Sequence, residues 1–145
     1  WFDQTAEDPF ASGAAAALFI GDVALRPSLY PEVPFRFDLG AEWWDQTGLP
    51  FAFALWQSSS RNRGDELRRL HETLLASRAW GAEHRAVLAA RYADRFRMDA
   101  PELERYWADL AFDLDDEMIA GLTRFYELAA EIGAIPRVPS LRWIE

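Results

Sequence analysis

The sequence predicts an α/β fold in which three short strands, separated by short helices, lead into a C-terminal block of helices. Three observations predict it. Residues 35–39 (FRFDL) alternate apolar and polar side chains, the period of a strand with one buried face. Residues 14–20 (AAAALFI) and 51–56 (FAFALW) are apolar throughout, as strands covered on both faces are. From Asp65 onward the spacing changes to three and four, which gathers Leu67, Leu70, Leu74 and Leu75 on one helix face. Such strands need neighbours that this chain does not supply, and the first residue is Trp1 rather than Met. The reading therefore expects an N-terminal part of the fold to be missing.

Composition narrows the possible functions. The chain has 145 residues, half of them apolar and 14% aromatic, enough for a globular domain with a core. Its formal net charge of -9 argues against nucleic acid, which selects a basic stripe. All 15 basic residues are Arg, so neither a Schiff-base lysine nor a P-loop lysine is available. There is no Cys, which removes disulfides, thiolate nucleophiles and Cys-ligated metals. No apolar run approaches the roughly 20 residues a membrane-spanning helix needs. These features lead to the expectation of a cytoplasmic protein that binds neither nucleic acid nor membrane.

Each element has its local reason. Residues 1–12 read as loop. The strand over 14–20 ends at Gly21, and Asp22 is expected as the N-cap of a short helix that Pro27 and Pro31 keep short. Pro34 opens the second strand and Gly40 ends it. Residues 41–46 read as one or two turns of helix, closed by Gly48, which accepts a left-handed end, and Pro50, which cannot continue a helix. The third strand is followed by a polar loop, 57–64 (QSSSRNRG). The helix from Asp65 is expected to be interrupted at Gly81, and a second helix carries Val87, Leu88, Tyr92 and Phe96. Residues 99–102 (DAPE) have the form of a capping box ahead of Leu103, Tyr106, Trp107 and Leu110. The last helix starts near Asp115 or Asp116, buries Met118, Ile119, Leu122, Phe125, Tyr126, Ala129 and Ile132, and is stopped by Gly133 and Pro136. The tail over 137–145 has room for a short extended segment.

Several groups invite a chemical reading. His71 and His84 are the only histidines, and neither has a metal-ligand spacing, so both read as structural or surface residues. Asp115, Asp116 and Glu117 are explained by the helix dipole, without an EF-hand pattern. Ser58, Ser59 and Ser60 lack the surround of a nucleophile elbow. Trp43 and Trp44 lie about 100° apart on a helix, so one faces the core and the other packs elsewhere, covers a pocket or is exposed. Gly21-Asp22 and Asp38-Leu39-Gly40 each end a predicted strand just before a helix. Free N–H groups there can bind a carboxylate without a lysine, or the residues can be ordinary caps and turns.

Three stretches together resemble a known family: LFIGDVALR at 18–26, FDLGAEWWDQTGLPFAFALW at 37–56, and LTRFYELAAEIGAIPRVPSLRWIE at 122–145. They are similar to chorismate dehydratase, the MqnA family of the futalosine route to menaquinone. The likeness covers at least residues 14–145, and its most specific part is the central DLG-x-x-W-x-x-x-TGLPF-x-FA-x-W pattern. The resemblance implies a type II periplasmic-binding-protein-like fold of two lobes around a cleft. This chain would be its C-terminal half, with residues 1–33 finishing the second lobe and starting the hinge, and 34–145 returning to the first lobe. The hinge crossing would run over 28–37, and the N-terminal lobe would be missing.

The implied reaction removes water from chorismate to give 3-[(1-carboxyvinyl)oxy]benzoate. A ring proton and the neighbouring hydroxyl leave, and aromatisation drives the step. The ring carboxylate can delocalise charge developing at the carbon that loses its proton, so no metal or redox cofactor is expected. The protein's part is to orient the substrate, hold two carboxylates and exclude water. The match points to Gly21 and Asp22 on one cleft wall and to Asp38, Leu39 and Gly40 near the hinge, with Trp43, Thr47 and Gly48 shaping the pocket. No general base stands out, which leaves the missing half or the substrate's own side-chain carboxylate as its source. Two other readings stay open: 1,4-dihydroxy-6-naphthoate synthase of the same pathway, and a non-catalytic solute-binding protein for a small carboxylate.

Overall fold

The computed structural model describes residue 10 and residues 13–25, 32–58 and 64–143. Apart from Phe10, the loop expected over 1–12 lies outside the described residues. So do Pro27 and Pro31, part of the expected hinge crossing, Ser59 and Ser60, and the last two residues of the tail. The chain divides into two compact units, Trp1–Arg36 and Phe37–Glu145.

In the first unit the described chain forms a single 3-10 turn, Gly21–Val23, closed by the Ala24 N–H donating to the Gly21 carbonyl at 3.0 Å. Ile20 occupies the N-cap position, with extended dihedrals, and no side chain caps the turn. Asp22 therefore lies within the turn and is not the N-cap that the sequence led us to expect. Three residues close too early for a longer helix to begin at Asp22.

The second unit holds five α-helices among the described residues: α1 (Leu39–Thr47), α2 (Gly64–Glu83), α3 (Arg85–Phe96), α4 (Ala100–Asp109) and α5 (Asp116–Glu131). α2 runs straight through Gly81, because one glycine costs a helix only about 1 kcal/mol relative to Ala. The break comes at His84, whose ring stacks on Trp80 at 4.2 Å and whose Nδ1 lies 2.8 Å from the Trp80 carbonyl oxygen. The leucine stripe of α2 is only partly covered: Leu67 and Leu74 are half-buried, Leu70 and Leu75 are exposed, and no residue of the helix is fully buried.

α3 and α4 pack together as a hairpin and bury Ala89 and Leu103 completely. Phe96 and Trp107 meet edge to face beside them, with ring centroids 5.8 Å apart. The turn between the helices puts Arg97 at φ 53, where its N–H closes α3. Asp99 occupies the N-cap of α4, as the capping-box pattern predicts, but its side chain makes no cap hydrogen bond. At the start of α5 the expected cap is met, an Asp115 carboxylate oxygen accepting from the Met118 N–H at 2.8 Å, but Phe125, expected in the buried face, is 40% exposed. α5 buries Gly121, Leu122 and Ala129. Ile132, expected in its buried face, is 80% exposed because it lies at the C-cap, beyond the last helical turn.

No strand occurs among the described residues, which overturns the α/β fold and the two-lobed periplasmic-binding-protein-like fold expected from the sequence. Residues 14–20 and 51–57 carry neither helix nor ladder. Leu39, expected in the second strand, is the first residue of α1. Alternation and apolar runs record only which way side chains point, whereas a strand also needs a second strand to satisfy its N–H and C=O groups. Among the described residues no such partner is paired with these segments. Phe35 and Phe37 are at least 70% exposed, so their alternation serves no buried face.

The contrast between Leu103 and Ile132 gives a direct check. Leu103→Ala is expected to destabilise the chain by about 2–5 kcal/mol, since it removes a fully buried side chain from the hairpin core. Ile132→Ala is expected to stay within about 0.5 kcal/mol. Denaturant melts of both variants measure the difference, and equal effects would contradict the packing described.

Candidate functional site around α1

Six of the eight residues that the sequence points to lie on α1 or at its ends, within the second unit. Asp38 is the N-cap, and its Oδ1 accepts from the N–H groups of Gly40 and Ala41 at 2.8 and 3.2 Å. Those two donors are therefore engaged by the cap itself, which supports the plain reading of Asp38. Leu39 is 58% exposed on the first turn. Gly40 lies against the ring of Phe53, where an added Cβ would stand 3.0 Å from the ring's Cζ. At the other end Gly48 ends the helix at φ 66, a conformation that side chains resist, and its N–H donates to the Trp44 carbonyl at 2.7 Å. Gly21 (φ 68) and Asp22 belong to the first unit, in the 3-10 turn, and both are exposed.

The two tryptophans part company as helical geometry requires. Trp43 is half-buried, with its ring edge-on to Phe51 at 5.4 Å and to Phe125 at 6.1 Å. Trp44 is 55% exposed. The Trp43 Nε1 is a buried donor with no hydrogen-bond partner. An unmet buried donor costs about 1–3 kcal/mol, so the position is not one that packing alone favours. Thr47 ties the end of α1 to the turn that follows. Its hydroxyl donates to the Trp43 carbonyl at 2.7 Å and accepts from the Leu49 N–H at 3.1 Å.

Two open hollows flank this arrangement. One, of about 350 Å³, is lined by Gln46, Thr47, Leu49, Arg124 and Leu128. The other, of about 190 Å³, lies between residues 52–57 and α5, against Leu122, Phe125 and Tyr126. Arg124 is the cation on the rim of the larger hollow. Its Nη1 already pairs with Glu127 at 3.1 Å and Glu131 at 3.4 Å, both on α5. Pairs this exposed contribute little to stability, and they leave the guanidinium balanced by two carboxylates.

Sequence reasoning missed Phe51, Gly121, Arg124 and Phe125 as neighbours of the site. Gly121 carried a signal, since a glycine within an otherwise regular helical pattern often marks a close approach. Arg124 with Glu127 and Glu131 on the same helix was also readable as a local ion cluster. The placing of Phe125 beside Trp43 depends on tertiary packing and had no local signal. Of the groups given a plain reading, Asp115 caps α5 and Asp116 and Glu117 occupy its first turn. His71 is exposed and His84 is held by Trp80.

A helical unit whose candidate site is built on one capped helix, with apolar walls and uncharged donors, suits a small organic ligand. The family model described as menaquinone biosynthesis matches residues 3–131, most of the chain. The chain belongs to the menaquinone biosynthesis family, and its role is that of a biosynthetic enzyme in that pathway. No solved structure matches it. No helix among the described residues is long and apolar enough to cross a membrane.

The cap is testable apart from any activity. Asp38→Ala is expected to cost about 1 kcal/mol by removing the acceptor for two N–H groups, whereas Asp38→Asn retains most of it. Thermal melts of the two variants separate these outcomes.

Proposed function

We propose that the chain acts as a chorismate dehydratase within menaquinone biosynthesis, eliminating water from chorismate to give 3-[(1-carboxyvinyl)oxy]benzoate. The observation that carries this reading is the central pattern over residues 38–56, DLG-x-x-W-x-x-x-TGLPF-x-FA-x-W. It lies inside the segment matched to the menaquinone biosynthesis family and contains six of the eight candidate residues. The reaction is redox-neutral. The ring C–H bond breaks, its electron pair forms the ring double bond, and the neighbouring C–O bond opens to release hydroxide, which leaves as water with the proton.

On this reading the residues around α1 bind and orient the substrate. Trp43 backs the site from beneath, its ring packed edge-on against Phe51 and Phe125 and its Nε1–H enclosed. The Thr47 hydroxyl and the Gly48 turn hold Trp43 in register. Asp38, Leu39 and Gly40 form the approach to the helix start, with Asp38 fixing the backbone there. Gly21 and Asp22 are assigned to substrate binding on sequence resemblance. The general base is left to the substrate's own side-chain carboxylate or to a group beyond these residues.

The test offers chorismate, and separately the cyclic futalosine derivative, to the full-length gene product. Loss of chorismate with appearance of 3-[(1-carboxyvinyl)oxy]benzoate is expected. Turnover of the futalosine derivative alone would replace the reading with 1,4-dihydroxy-6-naphthoate synthase, and binding without turnover would replace it with a solute-binding protein. In the active enzyme Trp43→Ala is expected to lower kcat/KM by about 10- to 100-fold, because the ring that Phe51 and Phe125 hold no longer fixes the Thr47 end of α1. Undiminished turnover in that variant would remove Trp43 from the support of the site.

A further inference from the structure

Gly121 is buried in the interior of α5, a position where glycine costs a helix about 1 kcal/mol relative to Ala. Its surroundings explain it. A Cβ built there would overlap the carbonyl oxygen of Pro50, with the Pro50 carbonyl carbon at 3.2 Å and the Leu49 Cβ at 3.6 Å. Gly81, also inside a helix, would meet nothing within 4 Å. The two glycines thus differ in kind: at Gly121 the backbone of α5 rests directly on the backbone of the turn after α1.

That turn connects by hydrogen bonds to the candidate site. Leu49, next to Pro50, donates its N–H to the Thr47 hydroxyl, and the Thr47 hydroxyl donates to the Trp43 carbonyl. Gly48 donates to Trp44 within the same turn. Phe51, the residue after Pro50, and Phe125, one helical turn after Gly121, both meet the Trp43 ring. The position of the Pro50 carbonyl therefore determines where Thr47 and Trp43 stand.

We infer that Gly121 is the positioning residue of the candidate site: its bare Cα seats the Pro50 carbonyl on α5 and thereby fixes Thr47 and the Trp43 indole. A methyl group at 121 forces helix and turn apart by roughly 1 Å to reach ordinary van der Waals separation. The shift passes through the Leu49–Thr47–Trp43 hydrogen bonds into the site. The inference about activity rests on the dehydratase reading; the inference about geometry does not.

The experiment records the indole N–H signals of ¹⁵N-labelled full-length protein, with Trp43 assigned by Trp43→Phe, and kcat and KM on chorismate. Gly121→Ala is expected to move the Trp43 signal while Trp107, in the α3–α4 core, keeps its position, and to lower kcat/KM by about 10- to 100-fold. Gly81→Ala is expected to leave both unchanged. Should Gly121→Ala fail to fold, Pro50→Gly/Gly121→Ala gives the turn freedom to yield, and it is expected to fold with the Trp43 signal displaced. A Trp43 signal at its wild-type position in a folded variant, or a double variant as unfolded as the single one, overturns the inference. If the wild-type protein does not turn over chorismate, the dehydratase reading fails while the Trp43 signal still decides the role of Gly121. If wild type turns over chorismate and Gly121→Ala matches it in kcat and KM, the positioning role fails alone.

Discussion

The edge-to-face meeting of Trp43, Phe51 and Phe125 joins three stretches that are far apart in sequence: α1, the extended run after Pro50, and α5. Remove it and the second unit keeps its α3–α4 hairpin but loses the reason for α1 to lie where it does. Phe53 extends the cluster by packing on Phe51 at 4.9 Å and covering Gly40 at the other end of α1. Aromatic pairs of this geometry add about 0.5–1.5 kcal/mol each beyond the area they bury. They act here where fully buried aliphatic side chains are few, Leu103 being the only large one among the described residues.

Local structure was largely legible in the sequence. Gly48 and Pro50 announced the end of α1, Asp115 the start of α5 and Gly133 its end, because each acts on the backbone within a few residues of itself. The same locality explains the misses. A capping-box pattern at Asp99 names a position but does not oblige its side chain to bond. Gly81 resembles a break in sequence, yet the cooperativity of a 20-residue helix outweighs a single poor former. Strands failed most clearly, since pairing is a property of two segments and the sequence displays them one at a time.

The candidate site divides along the same line. The six residues near α1 could be grouped from sequence because one helix carries them, and the structure keeps them together. Gly21 and Asp22 fall in a separate unit. The wall opposite α1, made by α5, could be found only in three dimensions: Gly121 lies more than seventy residues from Pro50 in the chain, and no periodicity links them. Arg124 looks on the rim of the larger hollow like an obvious anion anchor, but Glu127 and Glu131 already share its charge.

The extended run after Pro50 has one more consequence. From Gln46 to Ser58 the chain carries no ionisable side chain, and Phe53 and Trp56 stand more than three-quarters exposed along it. Natural sheet edges are commonly guarded by charges or by proline within the strand; this extended run, which is no strand, has neither between Phe51 and Gln57. An extended, uncharged run with exposed aromatics favours intermolecular pairing, the first step of precipitation. What opposes that step is the excess of acid elsewhere, a repulsion between molecules that dissolved salt screens. The colloidal behaviour of the chain is thus a balance between one sticky, neutral ribbon and a diffuse negative charge, with ionic strength as the control.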